Sequence, residues 1–407
     1  MSNAMKMVAG LDIGNGYVKG SVGIHGKSFT SVDMPSGLSI VTSSHDIKSN
    51  VDSEIENIFN RLDAKFDTPM ISETHRCFFG QRAIQYNKNL MEFDISGHES
   101  KAQQELSQML VLGCVAGKAI QEYYEINKRL PDDILNVDTV MAIALPISEY
   151  KDYRDDYANR FKKNSHLVSV YNFENVVRVS VNFVQVVVFA EGASAQYAIG
   201  PLGIKFMDRM LEDTRKMGIP LEGITASDIL AAKNTVGIDI GEGTVNFPVF
   251  ANGQFNPDAS KSFNKGYGTV LSGALDRLKR KYPFESRKAL ADYLTQEPSA
   301  LKRAMYNAVK NIVDEEIEPF VMEVASEFGK ILRDVGVYTE VIYVYGGGAA
   351  PVRDKLFARL IETSKNFAGG EDTAYPVIYM DSKFSRLLNR EGLTIIAKTT
   401  ADKVFGK

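Results

Sequence analysis

The sequence predicts an α/β protein made from two copies of one domain, and three observations lead there. The segment Leu11-Asp12-Ile13-Gly14-Asn15-Gly16 returns as Ile238-Asp239-Ile240-Gly241-Glu242-Gly243, 227 residues later. Each copy is entered by an apolar run and left by a β-branched one, the pattern of a hairpin closed by glycines. A further apolar strand, Val341 to Tyr345, runs into Gly346-Gly347-Gly348-Ala349-Ala350. A repeat this widely spaced is too long for a solenoid period and implies a duplicated domain.

The bulk numbers are compatible with that plan. A chain of 407 residues, 44% of them hydrophobic, can bury substantial cores without disulfides or metals and has room for two or three domains. Its net charge of −4 and pI near 5.9 advertise no basic face for direct nucleic-acid binding. Cys77 and Cys114 are the sole cysteines, which fits a reducing cytosol better than a disulfide framework. The histidines (His25, His45, His75, His98, His166) show no metal-ligand spacing among themselves or with the cysteines. No apolar run approaches the roughly 20 residues of a membrane-spanning helix. The most apolar stretch, Val181 to Ala190, is strand-length and broken by Asn182 and Gln185. Met1-Ser2-Asn3-Ala4 reads as an expression scar, with Met5 as the natural start and no secretory signal behind it. A cytoplasmic location is expected.

Along the chain, residues 8–22 read as the first hairpin. Residues 23–96 are polar and loop-rich and read as an inserted subdomain, about 30–98. Residues 99–128 carry helical periodicity through Leu106, Leu110, Val111, Cys114 and Val115. Val137 to Leu145 is a buried strand ending at Pro146, and Tyr150 to Lys163 a charged amphipathic helix. Short strands are expected over Val168 to Ala190, then a helix start rich in small residues from Glu191. The second copy continues with a helix over 269–281, a mixed helical region over 285–333, the strand at 341–345 and a closing helix from near Ser382. The expected domains are 1–195, 196–380 and a C-terminal helix, 381–407, returning to the first domain.

Each Asp-x-Gly-x-Gly hairpin has a chemical use. Glycines permit positive φ and let backbone N–H groups approach an anion. An Asp at a strand end can hold hydrated Mg²⁺ through its waters, because Mg²⁺ dehydrates reluctantly. Lys19, seven residues after Asp12, could add a positive charge for phosphates. A single such hairpin also reads as an ordinary tight turn; two copies and a strand–GGGAA turn favour phosphate binding. Neither is a P-loop. The Gly346 turn would let a flat ligand lie on bare backbone. Glu191, at a strand end before Gly192-Ala193-Ser194-Ala195, suits a group that positions water, or equally a charge favoured at a helix start.

These residues resemble the nucleotide signature of the actin, sugar-kinase and heat-shock-chaperone ATPase superfamily, laid out from residue 9 to residue 397. The first phosphate motif is matched by Leu11 to Lys19, including Tyr17, and the second by Ile238 to Thr244. The connecting motifs are matched by Glu191 to Ala195 and by Asp381 to Leu393, ending on Asn389 and Gly392, and the adenosine motif by Tyr345 to Ala349. Within the superfamily the likeness is to ParM-type plasmid-segregation actins, through Leu145-Pro146-Ile147-Ser148-Glu149-Tyr150 and Val186 to Glu191. The resemblance implies duplicated actin-like (ribonuclease H-like) domains with a nucleotide cleft between them. It implies ATP or GTP with Mg²⁺, metal waters held by Asp12 and Asp239, and phosphates reached by Lys19. Glu191 would orient the attacking water, and Gly346 to Ala349 would pack on the adenosine. The loop residues Gly14, Asn15, Gly16, Gly241, Glu242, Gly243 and Thr244 would complete the nucleotide site. Two departures stand out: Glu242 replaces a small residue, and Asn246 stands where the ParM type has Asp.

The fold alone does not choose a function. A filament-forming ATPase in plasmid DNA segregation is the favoured expectation, with itself and a small DNA-binding adaptor as partners, and no direct DNA or membrane binding. A sugar-type kinase would want a substrate-positioning Asp that nothing in residues 23–96 marks. A chaperone would need a peptide-binding domain after the last motif. A cell-shape or cell-division homologue usually ends in an amphipathic tail, whereas Thr399 to Lys407 is short and polar.

Overall fold

The computed structural model describes residues 4–42, 50–94, 99–218, 221–284, 286–368, 374–380 and 382–406. Met1, Ser2, Asn3, His45, His98 and Asp381, all read above, lie outside the described residues. The chain divides into two units, Met1–Ala198 with Asn389–Lys407, and Ile199–Leu388.

Unit 1 holds a ten-stranded sheet. Its strands are β1 (Met5–Ile13), β2 (Tyr17–Ile24), β3 (Phe29–Pro35), β4 (Leu38–Ile40), β5 (Asp63–Asp67), β6 (Arg76–Phe79), β7 (Leu90–Met91), β8 (Leu135–Leu145), β9 (Ser165–Val170) and β10 (Val177–Ala190). Their spatial order is β3-β2-β1-β8-β10-β9-β5-β6-β4-β7. The first three strands form an antiparallel meander, and β1, β8 and β10 run parallel. The two-residue period of a strand sorts the side chains of β1 onto two faces. Met7, Ala9, Leu11 and Ile13 enter the larger core, shared with the helix Glu105–Asn127, and Val8 enters the smaller one, shared with Leu393, Ala397 and Ala401 of the helix Leu388–Phe405. Glu105–Asn127 is buried on every face from Leu106 to Glu122, and its buried Lys118 is satisfied within the helix by Glu122 at 2.7 Å and Gln121 at 2.8 Å.

Unit 2 holds β11 (Thr235–Ile240), β12 (Val245–Phe247), β13 (Val249–Ala251), β14 (Gln254–Phe255), β15 (Lys261–Phe263), β16 (Val341–Tyr345) and β17 (Val377–Tyr379). Pro248 separates β12 from β13, yet both lie antiparallel to β11, and the Pro248 carbonyl accepts from Gly237 N–H at 2.8 Å. β15, β12, β11, β16 and β17 repeat the plan of β3, β2, β1, β8 and β10: antiparallel neighbours on one side of the Asp-bearing strand, parallel ones on the other. The duplication read from two hexapeptides is therefore present in strand order as well.

The stretch 30–98 contributes β3–β7 to the ten-stranded sheet, and Ile58, Leu62, Phe66 and Phe79 to the larger core. Two expectations change. Val168 to Ala190 is two strands, the second a single one of 14 residues with a bulge between Phe183 and Gln185. The closing helix is interrupted: a turn of helix at Ser382–Ser385 precedes Leu388–Phe405.

Leu388–Phe405 lies backbone against backbone. A Cβ at Gly392 would overlap the Ser194 carbonyl oxygen, and one at Gly10 on β1 would sit 2.6 Å from Thr394 N. Gly392→Ala is expected to lower unfolding stability by about 1–3 kcal/mol through overpacking. Gly200→Ala, whose Cβ meets open space, should be neutral or slightly stabilising. Urea unfolding of the two variants checks this; equal stability would show that the approach at Gly392 is loose.

Candidate functional site

In unit 1, β1 delivers Asp12 and then turns through Gly14, Asn15 and Gly16 into Tyr17 and β2. Gly14 N–H closes the turn on Tyr17 O at 3.0 Å. The end of β3 braces it: Ser36 Oγ donates to Gly14 O at 2.6 Å and Ser36 N–H to Gly16 O at 3.1 Å. Among the described residues no backbone carbonyl accepts from Asn15 or Gly16 N–H, so two exposed donors remain at the tip. Lys19 lies in register with Asp12 on one side and Asp33 on the other.

Glu191 follows β10 directly, with its N–H on Leu145 O at 2.7 Å. Its side chain meets a residue that sequence reasoning missed. Lys101 Nζ donates to Glu191 Oε1 at 2.6 Å, the lysine side chain 6% exposed and the glutamate 18%. Glu149, in the first turn of the helix Ile147–Lys162, accepts from Lys101 N–H at 3.1 Å and Ala102 N–H at 3.3 Å. The Pro-Ile-Ser-Glu segment that carried the resemblance thus fixes the backbone of Lys101. Nothing local marks Lys101, which is 90 residues from Glu191 in sequence.

The charges feel one another. Burial, then the Glu191 carboxylate, pushes Asp12 above the usual carboxyl range, against Lys19 and Lys101. Burial works against the Lys101 ammonium, but Glu191, Asp12 and Glu149 outweigh it and hold the lysine above its ordinary value. Burial also raises Glu149, despite its two N–H bonds and Lys101.

In unit 2, Asp239 ends β11, 5% exposed, before the turn Gly241-Glu242-Gly243. Gly241 N–H closes on Thr244 O at 2.9 Å, as in the first copy. The brace differs: Tyr267 and Gly268 N–H, at the start of the helix Tyr267–Leu278, donate to Gly241 O and Glu242 O at 3.0 and 2.9 Å. Again no described backbone carbonyl accepts from Glu242 or Gly243 N–H. The Glu242 side chain turns to Arg287, 3.2 Å away. Asn246 faces Asp239 across the ladder, with its amide oxygen on Ser262 Oγ at 2.7 Å and its amide nitrogen toward Thr244 Oγ1 at 3.4 Å.

The glycine turn crosses the end of β11. Gly348 N–H donates to Ile240 O at 2.8 Å. Gly346 has φ +100°, and a Cβ there would sit 2.5 Å from Asp239 Oδ1, so glycine is required on conformational and steric grounds. Gly347 is open except for Arg386 Cγ at 3.9 Å, and Ala349 begins the helix Ala349–Lys365.

Unit 1 therefore gathers Asp12, Lys19 and Glu191 with Lys101 and Glu149, and unit 2 gathers Asp239, the second turn and Gly346 to Ala349. Each turn offers a strand-end carboxylate beside two N–H groups that no described backbone carbonyl takes, a set that fits phosphate oxygens and a hydrated cation. Among the described residues no three His, Cys, Asp or Glu side chains converge to chelate a metal directly. No described helix is long and apolar enough to cross a membrane.

Residues 10–193 match the family model for the N-terminal domain of actin-like proteins, and residues 237–358 that for the C-terminal domain of archaeal MreB-like actin homologues. No curated protein matches the chain in sequence. Among solved structures, ParM of Bacillus thuringiensis with ADP superposes with a TM-score of 0.62 at 13% identity, over 97% of this chain and 99% of that one. The archaeal actin homologue Ta0583 gives 0.61 at 14% identity, with the same coverage. Apo ParM of pSK41 gives 0.54 at 18% identity, over 98% and 100%. At these identities the superpositions establish the fold, and the two family models span well over half of the sequence. The chain belongs to the actin-like protein superfamily.

Proposed function

We propose that this chain is a nucleoside triphosphatase that binds ATP or GTP with Mg²⁺ and assembles into nucleotide-dependent filaments in plasmid DNA segregation. The observation that carries the reading is the hairpin built twice, each time with a strand-end carboxylate and two N–H groups that no described backbone carbonyl takes. Structures of the Bacillus thuringiensis ParM with ADP, ATP and AMPPNP support the nucleotide part.

In this reading the tip N–H groups and Lys19 would bind phosphate oxygens, and Asp12 and Asp239 would each hold waters of Mg²⁺. The cation, when bound, spreads the negative charge that develops on the phosphates. Gly346 to Ala349 offer bare backbone to the adenosine, and Glu191 orients the attacking water. Phosphoryl transfer depends mainly on such positioning and electrostatics. A segregation filament must be tied to DNA, and a chain of net charge −4 is poorly suited to do so itself. A small DNA-binding adaptor is the partner we propose.

Head-to-tail contacts that do not close a ring propagate without limit. Light scattering is expected to rise when Mg-ATP or Mg-GTP is added at tens of micromolar protein, with fibres by electron microscopy. Absence of fibres under every nucleotide and salt condition would favour the small-molecule kinase reading instead.

Glu191 should separate hydrolysis from assembly. Glu191→Ala is expected to lower the hydrolytic rate by about 10²–10⁴-fold, the usual contribution of a general base or positioner, while nucleotide still binds. Its filaments should form and persist where wild-type filaments disassemble. Hydrolysis at the wild-type rate would reduce Glu191 to a helix-start charge.

A further inference from the structure

Lys101 is a cation held deep in a site where the sequence reading placed only carboxylates and Lys19. Its side chain is 6% exposed, and its ammonium lies 2.6 Å from a single oxygen of Glu191, Oε1. It is anchored at the other end too, because Glu149 takes the N–H groups of both Lys101 and Ala102. The ring of Phe93 lies 5.9 Å from the ammonium and closes one side. A lysine kept only to balance charge has no need of a doubly bonded backbone. This anchoring fixes where the ammonium sits, and through it the direction of the Glu191 carboxylate.

We propose that Lys101 is a positioning residue for nucleotide hydrolysis: it holds Glu191 by Oε1 and leaves Oε2 to orient the attacking water. The inference rests on the reading of Glu191 as the water-orienting group. A carboxylate on a flexible side chain samples many rotamers, and a small misplacement of a reacting group costs about 10²-fold in rate. One strong charge-assisted bond from a fixed donor removes most of that freedom.

The test compares Lys101→Met, Glu191→Gln and the double variant with wild type, in full-length protein with Mg-ATP. Circular dichroism and thermal melting check folding, and the double variant removes both charges together, so no unpaired ion is left buried. The expected result is a fall in kcat of about 10²-fold for Lys101→Met, with nucleotide affinity within about threefold of wild type. The double variant should be no slower than Glu191→Gln alone, since Lys101 acts through Glu191. A folded Lys101→Met with wild-type kcat would overturn the proposal, as would multiplicative losses in the double variant. Loss of affinity at unchanged kcat would also overturn it and leave Lys101 a phosphate ligand. If Glu191→Gln itself hydrolyses at the wild-type rate, the reading of Glu191 fails first and this inference falls with it.

Discussion

Charge balance around Asp12 governs unit 1. Three carboxylates, Asp12, Glu149 and Glu191, are brought together where two parallel strands and a hairpin end, and two lysines answer them. Taking a single ion out of water costs on the order of several kcal/mol, and removing one partner of a buried pair costs about 3–5 kcal/mol. The arrangement is tolerable because each of these half-buried carboxylates has a partner: Glu191 has Lys101, Glu149 has two N–H groups, and Lys19 stands opposite Asp12. Even so, burial and the Glu191 carboxylate hold Asp12 above the usual carboxyl range, against Lys19 and Lys101.

Unit 2 meets the same geometric demand with different chemistry. Its turn is braced by a helix N-terminus where unit 1 uses Ser36. The two departures from the ParM pattern each have a partner: Glu242 turns to Arg287, and Asn246 is held by Ser262. Neither disturbs the Gly241–Thr244 closure. Backbone contact replaces side-chain contact at the decisive points: Gly346 over Asp239 and Ile240 in unit 2, Gly10 and Gly392 in unit 1. A methyl group at any of them would force main chain to move.

The legible parts of the fold were those with local signals. The strands β1, β2, β11 and β16 pair apolar runs with glycines, and their ends fall within a few residues of expectation. β10 reads as pieces because Asn182 and Gln185 interrupt its apolar run. In the structure Asn182 donates to Asp138 on the neighbouring strand at 2.8 Å, and the bulge before Gln185 resets the period. Residues 30–98 resisted reading because their partners are remote: β5 pairs with β9 about a hundred residues on, and β4, β6 and β7 are two to four residues long. Of the site, Asp12, Asp239 and the glycines announce themselves through the repeat. Lys101 and Glu149 do not, since their roles exist only once the helix Ile147–Lys162 and the end of β10 are folded together.

The proposed function requires that magnesium-nucleotide binding depend on the strand-end carboxylates Asp12 and Asp239. Titration calorimetry of Asp12→Ala and Asp239→Ala against ATP, each with Mg²⁺ and with EDTA, tests it most directly. The expected result is nucleotide bound more tightly with Mg²⁺ than with EDTA, and a metal dependence weakened in each variant separately. Unchanged Mg-nucleotide affinity in both variants would contradict it.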